Sequence, residues 1–137
     1  MKEAINTAQL LFTALGGYLG WFFGGFDGLM YALVAFVVMD YLTGVMLAVV
    51  QKRLSSQIGF KGLFKKVLIF FFVGMGSIID LYILEKGGAV RTAVVFFYLS
   101  NEGLSILENA ALLGLPIPGK LKGILLDLKE EKKDASH

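Results

Sequence analysis

The sequence predicts an all-α membrane protein with four transmembrane helices and a short amphipathic helix at its C-terminal end. Of its 137 residues, 56% are hydrophobic and only 18% are charged, whereas soluble domains are about 45–50% apolar and about 25% charged. The apolar residues occur in runs of about 18–22, a length that crosses a hydrocarbon core of about 30 Å. We therefore assign residues 1–118 to a transmembrane helical domain and residues 119–137 to a cytoplasmic amphipathic helix and charged tail.

The first predicted span covers residues 10–26, after a short polar start. Its glycines recur at every fourth position, and the same register continues to the beginning of the next span: Gly16, Gly20, Gly24 and Gly28. Small residues at this spacing allow two helix backbones to approach closely in lipid. We interpret these glycines as a helix-packing face; the alternative is a flexible, glycine-rich helix at the membrane interface.

The second and third predicted spans cover residues 29–50 and 67–84, and each contains one acid. Asp40 lies near the centre of the second span, and Asp80 lies near the end of the third. An ionisable group at membrane depth is paired or functional by default. Two interpretations of Asp40 stay open: it fixes the packing of a neighbouring helix, or it takes part in a pore or its trigger.

The connection at residues 51–66 predicts the orientation of the chain. It contains five cations and no acid: Lys52, Arg53, Lys61, Lys65 and Lys66. Short loops rich in Lys and Arg stay on the cytoplasmic side. With both termini inside, eleven of the thirteen Lys and Arg residues are cytoplasmic. At the mouth of two spans these cations favour contact with anionic lipid headgroups, and we expect no nucleic-acid partner.

The fourth predicted span, residues 89–113, carries a polar seam. At about 100° per residue, seven polar or aromatic residues fall within an arc of roughly 120° on a helix: Arg91, Tyr98, Asn101, Glu102, Ser105, Glu108 and Asn109. Carboxylates facing lipid cost about 2.5–3.5 kcal/mol each, so the seam must face protein or water. We hypothesise that it faces other copies of the chain and, at some stage, an aqueous opening.

A three-span alternative places this fourth segment in the membrane interface, because its two glutamates and two asparagines make insertion marginal. That topology would put the cationic C-terminal tail outside, against the charge rule. The four-span topology is therefore favoured. After Pro116 and Pro118 the apolar spacing predicts an amphipathic helix able to lie on the membrane face, followed by a frayed charged tail at residues 129–137.

Residue types exclude several kinds of chemistry. The chain has no cysteine and its one histidine is His137, so a thiol nucleophile, a disulfide framework and a Cys- or His-ligated metal site are not predicted. Glu102 and Glu108 are six residues apart with no His or Cys nearby. We expect no catalytic, metal or cofactor site, and the chain is not predicted to be an enzyme.

From residue 29 to residue 128 the chain resembles the toxin-secretion and phage-lysis holins of phage holin family 4. The residues that carry the resemblance are Asp40–Gly44, the loop from Ser55 to Gly62 with Lys65 and Lys66, Asp80, Phe97–Asn109, and Gly114–Pro118 with Leu121. The resemblance implies a phage or prophage protein that accumulates in the bacterial cytoplasmic membrane, forms homo-oligomers and opens the membrane at a set time. In this family the lesion releases an endolysin or a large protein toxin, which would be the indirect functional partner.

A second class of function stays open from the residues alone. A small ion channel or proton-coupled transporter would use the intramembrane acids Asp40, Asp80 and Glu102 as relay groups. Membrane-buried acids, small-residue packing faces and little material outside the bilayer favour the pore-former.

Overall fold

The computed structural model describes residues 2–85 and 87–135, and these form helices and turns without strands. The side chains are described as far as residue 128. In chain order the helices are α1 Lys2–Phe22, α2 Gly28–Val50, α3 Ser56–Ile78, α4 Ala89–Leu112 and α5 Gly119–Ala135. A π-helical segment, Ile79–Leu84, continues directly from the end of α3.

Side-chain caps set the starts of the two most apolar helices. The carboxylate of Asp27 accepts a hydrogen bond from the backbone N–H of Met30 at 3.0 Å, and α2 begins at the next residue. The hydroxyl of Ser55 accepts one from the N–H of Ile58 at 3.2 Å, and α3 begins at Ser56. Each cap satisfies one of the N–H groups that lack a partner in the first helical turn.

Helices α2, α3 and α4 form the core. Seven apolar side chains from these helices are buried together: Met30, Leu33, Val37, Ile69, Val73, Val95 and Leu99. Large apolar side chains also cover the outer surface of α2 and α3. A helix that is apolar all round is typical of a membrane span. Helix α1 has no buried residue, although its Phe22 ring reaches Gly74 of α3.

Within the described residues, two helical segments are long and apolar enough to cross a membrane, Gly28–Val50 and Ser56–Leu84. They correspond to the second and third predicted spans. The segments predicted as the first and fourth spans are also helical, but more polar. The all-helical class is therefore confirmed, and the four-span topology stays a prediction.

The glycine ridge is interrupted after Gly20. Helix α1 starts at Lys2, so the short polar start is part of the helix, and it ends at Phe22. Gly24 has φ +77° and lies in the turn between α1 and α2, a conformation that glycine adopts without steric cost. An added Cβ would meet nothing within 4 Å at Gly16 or Gly28, and only the Phe26 ring at Gly20. Within one chain these glycines therefore do not form a continuous helix-packing face.

The basic connection is shorter than predicted because Ser55 starts α3 early. Only residues 51–55, with Lys52 and Arg53, connect α2 to α3. Lys61, Lys65 and Lys66 lie on the first three turns of α3 instead of in a loop. The third apolar helix consequently begins eleven residues before the predicted span and carries three lysines with it.

Helix α5 folds back onto α4. The Ser100 hydroxyl donates a hydrogen bond to the Leu125 carbonyl, and an added Cβ on Gly103 would meet the Leu125 side chain at 2.7 Å. Leu125 of the predicted amphipathic helix is buried and packs on α4, and the position of this helix on the membrane face stays a prediction. The helix also continues through Ala135 into the segment predicted to fray, and residues 136–137 lie outside the described residues, as does Lys86.

Candidate functional site

A buried ion-pair cluster joins the three core helices. We call Asp40 of α2, Lys66 of α3 and Glu102 of α4 the core cluster. The Lys66 ammonium donates hydrogen bonds to both carboxylates, to Asp40 Oδ2 and, at 2.6 Å, to Glu102 Oε2. One lysine therefore bridges the acids of two other helices. It fixes the relative positions of all three helices.

The core cluster lies at one level along the helices. Asp40 is ten residues before the end of α2, Lys66 ten residues after the start of α3, and Glu102 ten residues before the end of α4. At about 1.5 Å per residue, all three lie about 15 Å from the helix ends nearest residues 51–55. This depth lies within the hydrocarbon region of a helix that crosses the bilayer.

Because the core cluster is largely buried, its net charge affects its stability. The side chains of Asp40 and Glu102 are each 7% exposed, and that of Lys66 is 18% exposed. Desolvating a charge costs several kcal/mol, roughly, unless opposite charge and hydrogen bonds offset the loss. Two carboxyl groups share one ammonium, so the cluster has no net charge only when one carboxyl is protonated.

Asn109 and Thr43 extend the core cluster. The Asn109 side-chain amide donates hydrogen bonds to Asp40 Oδ1 at 3.2 Å and to the Thr43 hydroxyl at 3.0 Å. Thr43 in turn donates to the Met39 carbonyl, one helical turn earlier, at 2.8 Å. In the described part of the chain, no buried side-chain nitrogen or oxygen lacks a hydrogen-bond partner. The buried polar atoms of this network are therefore all hydrogen-bonded.

A cavity of about 250 Å³ lies beside the core cluster, between α2, α3 and α4. Its polar wall is formed by Asp40, Lys66, Ser105 and Asn109. Its other side is built from small and apolar residues near the ends of α2 and α3, including Gly44, Ala48 and Gly62. The core cluster thus borders a space large enough for several water molecules.

A second polar cluster, the Arg91 cluster, closes the opposite end of the core. The Arg91 guanidinium binds the Asp27 carboxylate in bidentate fashion, at 3.0 and 3.1 Å. It also donates to the backbone carbonyls of Phe23 and Gly25 in the α1–α2 turn. Bidentate arginine–carboxylate pairs are among the stronger and more directional hydrogen-bonded contacts. Arg91 therefore fastens the start of α4 to the turn that precedes α2.

Asp80 holds the same helix start by a different contact. Its carboxylate accepts hydrogen bonds from the backbone N–H groups of Val90 and Arg91, at 2.9 and 2.8 Å. A carboxylate suits the positive end of the helix dipole. Gly76 of α3 approaches the Arg91 backbone so closely that an added Cβ would lie 3.1 Å from the Arg91 Cα. Asp80 thus has a capping position at the start of α4, away from the core cluster.

Within the Arg91 cluster, the arginine changes the pKa of the Asp27 carboxyl. The hydrogen bond from Arg91 holds the pKa of the Asp27 carboxyl below its ordinary value, against the opposing effect of partial burial. The Asp27 side chain remains 51% exposed, so water screens part of this interaction. The Arg91–Asp27 pair, which we call the clasp, thus joins a buried guanidinium to a partly exposed carboxylate.

The structure divides the predicted polar seam of α4. Arg91, Glu102, Ser105 and Asn109 face other parts of the same chain, although sequence reasoning placed the partners of the seam in other copies. Of the remaining three residues, Tyr98 stacks on the Phe72 ring at 6.0 Å, Asn101 is half-buried, and Glu108 is exposed. Among the other predicted site residues, Lys61 and Lys65 are exposed on α3, and Lys52 and Arg53 are exposed between α2 and α3.

Two functional candidates were missed or misassigned from sequence. Lys66 was grouped with the loop cations, yet it is the central member of the core cluster. Asp27 was not among the predicted site residues, yet it caps α2 and binds Arg91. For Lys66 a usable signal was present: an N-cap serine at Ser55 predicts a helix start, which places Lys66 almost three turns inside α3.

Comparisons with known proteins identify a matching family and several relatives of this chain. A family model described as the bacteriophage holin family matches residues 17–130, a range that contains both clusters. An uncharacterized 14.9 kDa protein of the nagH 3′ region of Clostridium perfringens is 39% identical over 132 residues, covering 96% of this chain and 100% of that protein. An uncharacterized protein of Listeria monocytogenes is 41% identical over 139 residues, covering 100% of this chain and 96% of that protein.

A relative from a virus carries a functional name. The protein named probable holin from Bacillus phage phi105 is 38% identical over 103 residues, covering 71% of this chain and 76% of its own length. No solved structure matches the chain.

Proposed function

The chain belongs to the bacteriophage holin family, and from this premise we propose that it is a phage or prophage holin that permeabilises the bacterial cytoplasmic membrane. The observation that carries the proposal is the core cluster: three charged groups that bridge α2, α3 and α4 inside a chain whose outer surface is apolar. Such groups suit a protein that is quiescent while they are paired and that opens when they separate.

The proposed topology has four spans, with both termini in the cytoplasm. Two helices are apolar enough to span alone, and α1 and α4, with 21 and 24 residues, are long enough. For α4 the main obstacle to insertion is its polar seam. Pairing of Glu102 with Lys66 and of Arg91 with Asp27 reduces that obstacle, because these charges enter the membrane with their partners.

In the proposed mechanism chains accumulate as compact units and then self-associate. At a threshold density, or when the membrane potential falls, α4 separates from α2 and α3. The carboxylates then exchange Lys66 for water and for groups of other copies, and the seam lines an opening. The lesion would let an endolysin reach the cell wall, or let a large protein toxin leave. Moving one elementary charge across the whole membrane is worth about 2.3 kcal/mol per 100 mV, the same order of magnitude as the roughly 3–5 kcal/mol that breaking a buried ion pair costs.

Controlled expression in bacteria tests this proposal. A membrane-potential dye and the growth curve are followed after induction of the wild-type chain and of Glu102→Gln. We expect the wild type to give an abrupt, reproducible loss of potential. Glu102→Gln removes one of two carboxylates that share Lys66, so we expect the moment of collapse to shift.

Lys52→Gln is the matched control, because it removes one cation from an exposed position outside both clusters. It should leave the moment of collapse unchanged. Slow growth inhibition without loss of potential in the wild type would contradict the holin proposal. Equal timing in the wild type and Glu102→Gln would remove the core cluster from the mechanism.

One observation favours a second candidate, a proton-coupled transporter or small channel. The cavity beside the core cluster brings Asp40, Lys66 and Asn109 to one polar wall inside the helix bundle. Liposomes separate the two candidates. Leakage of protons without release of a trapped folded marker protein would favour the transporter, whereas release of the marker protein would favour the holin.

A further inference from the structure

The outward face of α3 near its start carries two lysines without a carboxylate partner among the described residues. Lys61 and Lys65 are one helical turn apart and both are exposed, so they lie on the same face of α3. The adjacent Lys66 points the other way, into the core cluster. The structure thus separates one inward lysine, which is neutralised, from two outward lysines, which are available to an anion.

Two aromatic rings flank these lysines. Phe60 and Phe64 are stacked with their centroids 6.3 Å apart and their planes at 25°. Their side chains are 60% and 63% exposed. Together with Leu68 and the two lysines they line an open, shallow groove along the outer surface of α3. A free phosphate would occupy the charged part of this groove and leave the rings exposed to solvent.

The depth of these residues matches the layers of a bilayer leaflet. The helix Ser56–Leu84 has 29 residues, about 43 Å, which is the thickness of a bilayer with its headgroup regions. Lys61 lies five residues from the start of α3, about 7 Å, and Lys65 lies one turn deeper. A flexible lysine stem extends the charge back toward the headgroups while its methylenes stay in apolar surroundings. Phe64 and Leu68 lie at the level of the acyl chains.

We propose that this groove binds one anionic phospholipid, with its phosphate between Lys61 and Lys65 and its acyl chains along Phe64 and Leu68. Charge complementarity selects the headgroup, and the exposed rings select a ligand with hydrocarbon chains. The site belongs to a single chain and does not depend on pore formation. It therefore adds a lipid ligand to the chain whatever the outcome of the permeabilisation experiments.

Native mass spectrometry of the full chain in neutral detergent tests the proposal, because bound lipids are counted one by one. The chain is titrated with dioleoyl phosphatidylglycerol, and with dioleoyl phosphatidylcholine as the neutral comparison. We expect one phosphatidylglycerol to bind in preference to phosphatidylcholine. A single cation near an anionic lipid contributes roughly fivefold in affinity, so Lys61→Gln with Lys65→Gln should weaken the first binding step by about 25-fold.

Lys52→Gln with Arg53→Gln is the matched control, since it removes the same charge from the neighbouring exposed turn. It should change the first binding step by less than about threefold. Equal weakening by both double variants would reduce the effect to net charge and overturn the site. Phe64→Ala keeps every charge and should weaken binding; unchanged binding would overturn the acyl-chain half of the proposal. Equal binding of phosphatidylcholine would overturn the anionic half.

Discussion

Replacing Lys66 by methionine removes the one positive charge of the core cluster and keeps a side chain of similar length. Asp40 and Glu102 then remain 93% buried and face each other without a cation. Removing one partner of a buried ion pair costs about 3–5 kcal/mol, because an uncompensated charge stays in a low-dielectric site. We expect Lys66→Met to lower the free energy of unfolding by that amount, or to force protonation of one acid.

Glu102→Gln gives the comparison that assigns this loss to charge. It leaves Asp40 and Lys66 as a one-to-one pair, and the amide oxygen still accepts the hydrogen bond from the ammonium. The lost stabilisation should then be no more than about 1–1.5 kcal/mol, the difference between a charge-assisted and a neutral hydrogen bond. A triple variant, Lys66→Met with Asp40→Asn and Glu102→Gln, has no charge in the cluster and should regain part of the loss.

The measurement is equilibrium unfolding of the purified chain in mixed micelles of neutral detergent and dodecyl sulfate, followed by helical circular dichroism. Lys52→Gln serves as the control and should change the unfolding free energy by less than about 0.5 kcal/mol. A Lys66→Met variant as stable as this control would refute the reasoning. So would a triple variant that is less stable than Lys66→Met alone, because the loss would then not come from unpaired charge.

Three further substitutions address other parts of the fold. Because Arg91 depresses the pKa of Asp27, their pairing stabilises the chain above the ordinary carboxyl pKa of about 3.9, and this contribution is lost as the pH falls. In Asp27→Asn the melting temperature should therefore fall less steeply between neutral and acidic pH than in the wild type. An equally steep fall in the variant would contradict the pairing. Gly76→Ala should cost about 1–3 kcal/mol by pushing the Arg91 backbone away, whereas Gly123→Ala, with open space around it, should be neutral or stabilising in the same unfolding assay. Gly16→Leu fills open space on α1, so chain stability should hold while crosslinking of copies in membranes falls; unchanged crosslinking would exclude this face from self-association.

Composition and run length were enough to predict the helical class and the two most apolar helices. Those signals depend on hydropathy, which every residue contributes to independently of its contacts. The cost of charge in lipid predicted only that the seam with Glu102 faces protein or water and that Asp40 is paired or functional; it did not place either acid inside the bundle of one chain. The partner of these acids did not follow, because Lys66 sits in a run of cations that the charge rule explains equally well as a loop.

The glycines of the first helix show a second reason for failure. A spacing of four residues predicts a helix face only while the backbone stays helical, and the turn that separates α1 from α2 begins within that register. Gly24 combines a φ of +77° with a close approach to Arg91, where an added Cβ would lie 2.6 Å from Cδ. Glycine is therefore required at position 24 partly because of Arg91, which is far away in the sequence. A local pattern does not predict that contact.

Because charged groups of α4 are paired within one chain, self-association does not have to shield them from lipid. If other copies alone shielded the seam of α4, an isolated chain would carry unpaired charges into lipid and insertion would require assembly. Glu102 and Arg91 instead have partners on α3 and in the α1–α2 turn. Glu108 is exposed, but it lies four residues from the end of α4, about 6 Å, which in the proposed topology is within reach of water and headgroups. Under the proposed function, insertion and assembly would therefore be separable steps, and permeabilisation would begin by breaking contacts that one chain makes with itself.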